Sequence, residues 1–328
     1  MKAIIRQLSV ILFTLVLAAG ILTACSRSSS DGKDGSIPVS DESNSSQSRA
    51  ESSDSDREVP GPKAEETFRS TFIKCGKADM IVLEGSFGTA VIDTGEAEDG
   101  DKLVEYLEEA GADKVSFLII THFDKDHVGG ASYLLDHYPV GKIYIPDYEG
   151  TSQEYYEFMD KLKELDYREG GEAGGDPDGN GGLIRLHETV SFTAGDVRFT
   201  IDPPGSYEIP SGADEYDNDF SLITIAEHGS TSMLFMGDAE NVRDKEFIEK
   251  NLTGECDLIK IPHHGRYHSQ LKKVISSLRP AFAVITDSKK NPAEEKTLDL
   301  LADYGVKVFS TAEENVTAAS DGTVITIS

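Results

Sequence analysis

Four side chains able to bind a divalent metal stand within six residues in His122-Phe123-Asp124-Lys125-Asp126-His127. Histidine nitrogen and carboxylate oxygen are the usual ligands of a catalytic divalent ion. Such an ion stabilises charge on an oxygen under attack and makes water a nucleophile near neutral pH, so this cluster points to hydrolysis. Two further sites follow the same plan. Met236-Gly237-Asp238-Ala239-Glu240 places an acid after an apolar run, and Ile261-Pro262-His263-His264-Gly265 places two histidines after another. Each alone has a bland reading, with Asp126 capping a helix or the histidines satisfied in a core. Three such sites in one chain are hard to produce by chance.

The elements that must position these residues can be read from apolar runs. Val115 to Ile120 is continuously apolar apart from Ser116, as expected of a strand buried on both faces. It runs directly into His122, and a strand end is a rigid mount for ligands. Met233 to Met236 and Leu258 to Ile261 lead into the other two sites in the same way.

Upstream, strands are expected at 71–75, 80–84 and 89–93, then a helix at 101–110. Downstream of the first cluster come a helix at 128–137, a strand at 142–145 and a helix at 152–165. The second half predicts strands at 197–201, 221–226, 232–236 and 258–261, with a helix at 241–250. A helical piece at 274–277, a strand at 282–286, a helix at 294–304, a strand at 306–310 and a hairpin over 316–327 complete it. Two β-rich halves with covering helices predict two sheets face to face with helices outside. Residues 170–182 are dominated by Gly and read as a loop. Its Asp176, Asp178 and Asn180 lack the closing Glu of a calcium loop.

The N-terminus carries Lys2 and Arg6 and then an apolar run from Leu8 to Leu22, a secretory signal by pattern. It ends in Leu22-Thr23-Ala24-Cys25, which is similar to a bacterial lipobox, whose cysteine is lipidated and becomes the mature N-terminus. The expected organisation is a signal peptide over 1–24, lipidated Cys25 with a Ser/Asp-rich disordered linker over 25–66, and one α/β hydrolase domain over 67–328. Residues 26–63 have too few apolar side chains to offset their ordering entropy. The protein is thus expected outside the cytoplasm, held to the membrane through its lipid anchor only. Its net charge of −28 and its lack of Trp weigh against a broad nucleic-acid face. Bound cations can reverse that sign locally, so nucleic acid is a possible partner that charge does not indicate. Cys75 and Cys256 fit no zinc-finger spacing, and their separation in sequence leaves open whether they pair.

Taken in order, the motifs resemble the metallo-β-lactamase superfamily, and within it the metallo-hydrolase domain of ComEC-type competence proteins. The matching stretches are Ala90-Val91-Ile92-Asp93-Thr94-Gly95, the run Thr121 to Gly130, Asn218-Asp219-Phe220-Ser221-Leu222, Phe235 to Glu240 and Lys260 to Gly265. The resemblance implies a four-layer αββα sandwich with its site at one edge between the sheets. It implies two divalent metal ions, Zn or Mn with Mg possible. His122 and Asp124 would hold one ion, Asp126, His127 and His264 the other, and Asp238 would bridge them around a hydroxide. Asp126 would also orient the attacking water, and His263 would contact substrate or protonate the leaving group.

Asp124 stands where the commonest pattern of the superfamily has His. An oxygen ligand there shifts preference from Zn²⁺ towards Mn²⁺ or Mg²⁺. The third histidine that many relatives give the first metal has no evident counterpart. His137 and His187 lie in no recognisable motif, so Asn218 or Asp219 becomes the accessory candidate. The expected function is that of an extracytoplasmic phosphodiesterase or nuclease-like enzyme. An acyl hydrolase acting on a lactone, thioester or β-lactam, and a non-catalytic ligand-binding lipoprotein, are the alternatives. A fold alone does not choose among them.

Overall fold

A computed structural model describes residues 67–170, 182–208 and 216–328. The signal segment, Cys25, the linker and residues 171–181 of the glycine-rich loop lie outside the described residues. The first half of the chain forms β1 (Phe68–Phe72), β2 (Met80–Gly85), β3 (Gly88–Thr94), β4 (Val115–Ile119), β5 (Val140–Pro146), β6 (Arg168–Glu169) and β7 (Gly182–Leu186). A second sheet is built from β8 (Val190–Ala194), β9 (Val197–Asp202), β10 (Ile223–His228), β11 (Thr231–Phe235), β12 (Leu258–Lys260), β13 (Phe282–Ile285) and β14 (Lys307–Ser310). The closing hairpin, β15 (Val316–Ser320) and β16 (Ile325–Ile327), returns to the first sheet. The strand orders are β16-β15-β1-β2-β3-β4-β5-β7-β6 and β14-β13-β12-β11-β10-β9-β8. Strands β3, β4, β5 and β7 run parallel, as do β11 to β14.

Three apolar cores account for the layering. Strand β4 is buried at every position; from Phe117 onward its side chains alternate with the two-residue period of a strand, and a register shift in its pairing with β3 puts Val115 in the same core as Leu118. Phe117 and Ile119 enter the core between the sheets, where they meet Phe199 and Phe235 of the opposite sheet. Val115 and Leu118 point the other way, into a core closed by α1 (Gly100–Glu109), α2 (Lys125–Val128), α3 (Ala131–His137) and α4 (Gln153–Glu164). The third core lies between the second sheet and α5 (Asn241–Lys250), α6 (Leu271–Leu278) and α7 (Glu295–Asp303). Helix α6 shows why these helices dock. Leu271, Val274, Ile275 and Leu278 recur at the spacing of one helical face, and all four are buried. The architecture is the four-layer αββα sandwich.

Several local outcomes differ from the expectation. The single helix expected over 128–137 is two helices, broken at Gly129-Gly130. There the chain passes against the turn that follows β3. A Cβ at Gly129 would lie 2.6 Å from the Ala97 nitrogen, and one at Gly130 would lie 2.4 Å from the Thr94 oxygen. Strands β7 and β8 had no sequence counterpart in the expectation. Cys75 and Cys256 are free and buried, and burial pushes the Cys256 thiol up to about 12. Among the described residues, no helix is long and apolar enough to cross a membrane.

Candidate metal centre

His122, Asp124, Asp126, His127, Asp238 and His264 all follow the carboxyl end of a parallel strand, the end where open α/β sheets characteristically build their sites. Strand β4 leads into Ile120–His127, β11 into Gly237-Asp238, and β12 into the turn Pro262–Gly265. In that turn His263 and His264 adopt φ of 48° and 52°, the sparsely populated left-handed region. Such strain persists only where the surroundings impose it, and it is concentrated at functional sites. Gly237 also has positive φ, 54°, and a Cβ there would lie 2.9 Å from that of Thr121. The glycine before Asp238 therefore lets the two sheet ends approach. Leu222 N donates to Thr121 O at 2.9 Å across the same junction.

His122, His127, Asp238, Asp126 and His264 converge. His127 Nε2 lies 3.3 Å from Asp238 Oδ1, and His264 Nε2 lies 3.2 Å from Asp238 Oδ2. Asp126 Oδ2 is 3.5 Å from His264 Nε2, and Asp124 Oδ2 is 3.6 Å from His122 Nε2. Ligand atoms sharing one ion at about 2.0–2.2 Å must themselves lie about 3.3–3.5 Å apart in a tetrahedral shell. The spacing fits. The Nε2 atoms of His122, His127 and His264 are buried and have no hydrogen-bond partner. Buried polar atoms are nearly always satisfied, so three orphaned nitrogens facing shared carboxylates fit a cation. Among the described residues three triads qualify by mutual distance, His122 with His127 and Asp238, Asp126 with His127 and His264, and Asp79 with Asp93 and His127, the two carboxylates of the last facing His127 Nδ1 rather than Nε2.

The opposite ring nitrogens are anchored. His127 Nδ1 meets Asp93 Oδ2 at 2.8 Å, and His264 Nδ1 meets Thr286 O at 2.8 Å. Asp93 in turn accepts from Thr121 N at 2.7 Å and from Thr121 Oγ1 at 2.6 Å. Such outer contacts fix the tautomer and aim Nε2 at a metal. His263 is held differently, with Nδ1 2.7 Å from Glu240 Oε1 and Nε2 3.9 Å from Asp238 Oδ2.

The accessory candidates separate. Asn218 is buried, and its Oδ1 has no partner. Asp219 instead accepts from Arg243 N at 3.1 Å, so this oxygen serves the start of α5. Neighbouring Asp217 has a carboxyl raised by burial and by the charge of Asp124, which brings it into the electrostatic reach of the first ligand pair. His137 bonds the Tyr133 carbonyl and His187 pairs with Asp147, so neither joins the cluster. Sequence reasoning missed Asp79, Lys260, Thr286 and Asp217. A lysine inside the otherwise apolar run Leu258-Ile259-Lys260-Ile261 was the one available signal, since lysine is almost never fully buried without a partner.

Burial would raise the Asp126 and Asp238 carboxyls, but His264 and His127 outweigh it and hold both below the usual carboxylate range. Burial would likewise lower His127 and His264, yet neighbouring carboxylates, Asp238 foremost, raise both above the ordinary imidazole value. A ligating imidazole must be neutral, so metal uptake has to displace these protons. Because the histidine values are raised, competition begins above the ordinary imidazole range and strengthens as pH falls. The apparent metal affinity should therefore weaken between pH 8 and pH 6, by up to about tenfold per pH unit for each proton displaced. A competition titration against a chelator, corrected for the chelator's own protonation, measures this; a flat profile would contradict the ligand assignment.

Comparison with known proteins agrees with this geometry. The profile of the family described as "Metallo-beta-lactamase superfamily" matches residues 73–210. ComE operon protein 3 of Bacillus subtilis is 28% identical over 219 residues, covering 65% of this chain and 25% of the relative. Recombination protein 2 of Haemophilus influenzae is 28% identical over 222 residues, covering 66% of this chain and 24% of the relative. The chain thus spans about a quarter of the length of these curated relatives. The crystal structure of the metallo-beta-lactamase fold protein YhfI from Bacillus subtilis superposes with a TM-score of 0.50 at 13% identity, covering 77% of this chain and 99% of that one. Over these matched stretches the chain is similar to the metallo-β-lactamase superfamily, and within it to the ComEC-type domain.

Proposed function

We propose that this chain is an extracytoplasmic, metal-dependent hydrolase of phosphodiesters, with a two-ion centre on His122, Asp124, Asp126, His127, Asp238 and His264. The observation that carries the reading is the set of three buried, unpartnered histidine Nε2 atoms arranged around Asp238. When bound, divalent ions would supply charge stabilisation at the attacked group and a nucleophile at neutral pH. The chain's own residues do the rest. Asp238 offers one carboxylate oxygen to each of His127 and His264, which suits a bridge. Asp126 keeps a side chain 19% exposed at the rim of the cluster, where it orients water towards the substrate. His263, braced by Glu240, faces Asp238 and holds a position from which it contacts substrate or moves a proton to the departing oxygen.

Three carboxylates among six ligands make an oxygen-rich centre, which favours hard ions and phosphoryl oxygens over an acyl substrate. That one curated relative is named a recombination protein supports a phosphodiester within nucleic acid or chemically like it. The purified protein loaded with Mn²⁺, Zn²⁺ or Mg²⁺ should cleave bis-p-nitrophenyl phosphate or single-stranded DNA and leave a chromogenic lactam intact. Cleavage of the lactam alone would establish the acyl reading instead, and metal uptake without turnover of any substrate would establish the binding protein. In cells, Cys25→Ser should move this activity from the membrane fraction to the soluble one; activity that stays with the membrane would remove the lipid anchor from the proposal.

A further inference from the structure

Beneath the ligand cluster lies an ion pair that the ligand assignment does not use. Lys260 and Asp79 are 0% and 1% exposed. The Lys260 ammonium is paired closely with Asp79 Oδ2, donates to Gly237 O at 2.9 Å and lies 3.5 Å from Asp238 Oδ1. Three donors on one compact charge thus face three acceptors. The other Asp79 oxygen accepts from Thr286 Oγ1 at 2.5 Å, and Thr286 O receives His264 Nδ1 at 2.8 Å. Asp79 N donates to Asp126 O at 3.0 Å. Asp79 is therefore connected to Asp126 through the backbone, while its buried carboxylate is connected to Asp238 through Lys260 and to His264 through Thr286.

The pair also spans the fold. Asp79 immediately precedes β2 in the first sheet, whereas Lys260 ends β12 and Thr286 follows β13 in the second. The ligands divide in the same way. His122, Asp124, Asp126 and His127 follow β4, while Asp238 and His264 follow β11 and β12. Stability alone does not call for such an arrangement, because a buried ion pair can often be replaced by apolar residues without loss. An apolar pair would fill the space but would leave Gly237 O and Asp238 Oδ1 unheld.

We propose that Asp79 and Lys260 are positioning residues that hold the two half-sites in register, setting Asp238 between His127 and His264 and aiming His264 through Thr286. The inference rests on the metal-centre reading above. The deciding variant in the full chain is Asp79→Asn/Lys260→Met, which removes both charges together and so leaves no uncompensated ion in the interior. Its thermal midpoint should stay within a few degrees of the parent. Calorimetric titration with Mn²⁺ or Zn²⁺ should show at least one binding event weakened about 10- to 100-fold, the range for outer contacts of metal ligands. Parent-like stoichiometry and affinity in the folded double variant would overturn the proposal.

Should that variant fail to fold, Thr286→Val decides instead. It removes the hydroxyl between Asp79 and His264 with little change of volume, and its metal binding should weaken about tenfold at an unchanged thermal midpoint. Unchanged binding there would overturn the proposal. A parent protein that takes up no metal would overturn the metal-centre reading and this inference together, whereas a parent that binds two ions and variants that bind them equally well would overturn only the inference.

Discussion

Asp238→Ala should strip the chain of most of its bound divalent metal and lower kcat/KM on a phosphodiester by about a thousandfold or more. The magnitude follows from losing several kcal/mol of metal-supplied charge stabilisation, with each 1.36 kcal/mol about a factor of ten in rate. The two oxygens of Asp238 face the Nε2 atoms of two separate histidines, at 3.3 Å and 3.2 Å. As the proposed bridge it would serve both ions, so its removal would weaken both, whereas loss of Asp124 would touch only the pairing with His122. The fold should survive. Lys260 keeps Asp79 and the Gly237 carbonyl as partners, so no buried charge is stranded. Metal content by mass spectrometry, far-UV circular dichroism and kcat/KM form the necessary set of measurements. A folded Asp238→Ala protein with full metal content and activity within tenfold of the parent would remove Asp238 from the centre.

Arg243→Met should have the largest effect on stability, a loss of about 3–5 kcal/mol, the range for breaking one side of a buried ion pair. Arg243 is 0% exposed in the first turn of α5. Its Nη2 donates to Asp202 O at 2.6 Å and to Asp202 Oδ2 at 2.7 Å, and its Nε donates to Ser221 O at 2.9 Å. Methionine fills much of the space but leaves both carbonyls without these donors. Lys250 and Thr189 still reach Asp202 Oδ1, at 2.8 Å and 2.5 Å, which places the expected loss towards the lower end. For a domain of this size that corresponds to a fall in Tm of about 6–12 °C. The guanidinium fork serves three acceptors that a lysine would reach less completely, so Arg243→Lys should recover only part of the loss. A loss below about 1 kcal/mol in urea unfolding would show that the surroundings relax around the gap.

The effect should extend to the site. Ser221, whose carbonyl Arg243 holds, accepts at its Oγ from Asp238 N at 3.1 Å, and the same oxygen lies 3.5 Å from His122 Nδ1. Arg243 therefore connects the stability of α5 to the placement of two ligand candidates. Sequence reasoning read residues 241–250 as a helix, and α5 occupies the same residues, but nothing in that pattern singled out an arginine buried at its start.

What the sequence determined by itself was local. The apolar run from Val115 to Ile120 announces a strand covered on both faces, and both of its alternating rows are buried. The tight spacing of His122 to His127 needs no long-range contact to become a cluster, since one turn after a strand end brings these side chains together. Most of the order of strands and helices was also legible, β6 to β8 excepted, because periods of two and of three to four residues are properties of consecutive residues.

Tertiary structure decided which distant residues meet. Asp79 and Lys260 are 181 positions apart in sequence, and neither announces the other. Only the face-to-face packing of two sheets brings them together beneath Asp238 and His264. The same packing separates neighbours that sequence left equivalent, leaving Asn218 with a buried, unpartnered oxygen while Asp219 serves the start of α5. It also broke the helix expected over 128–137, where Gly129 and Gly130 admit the backbone of the turn after β3. The physical reason is common to all three. Ligand types and strand periods are written in short stretches of chain, whereas a buried charge finds its partner only after both sheets have closed over it.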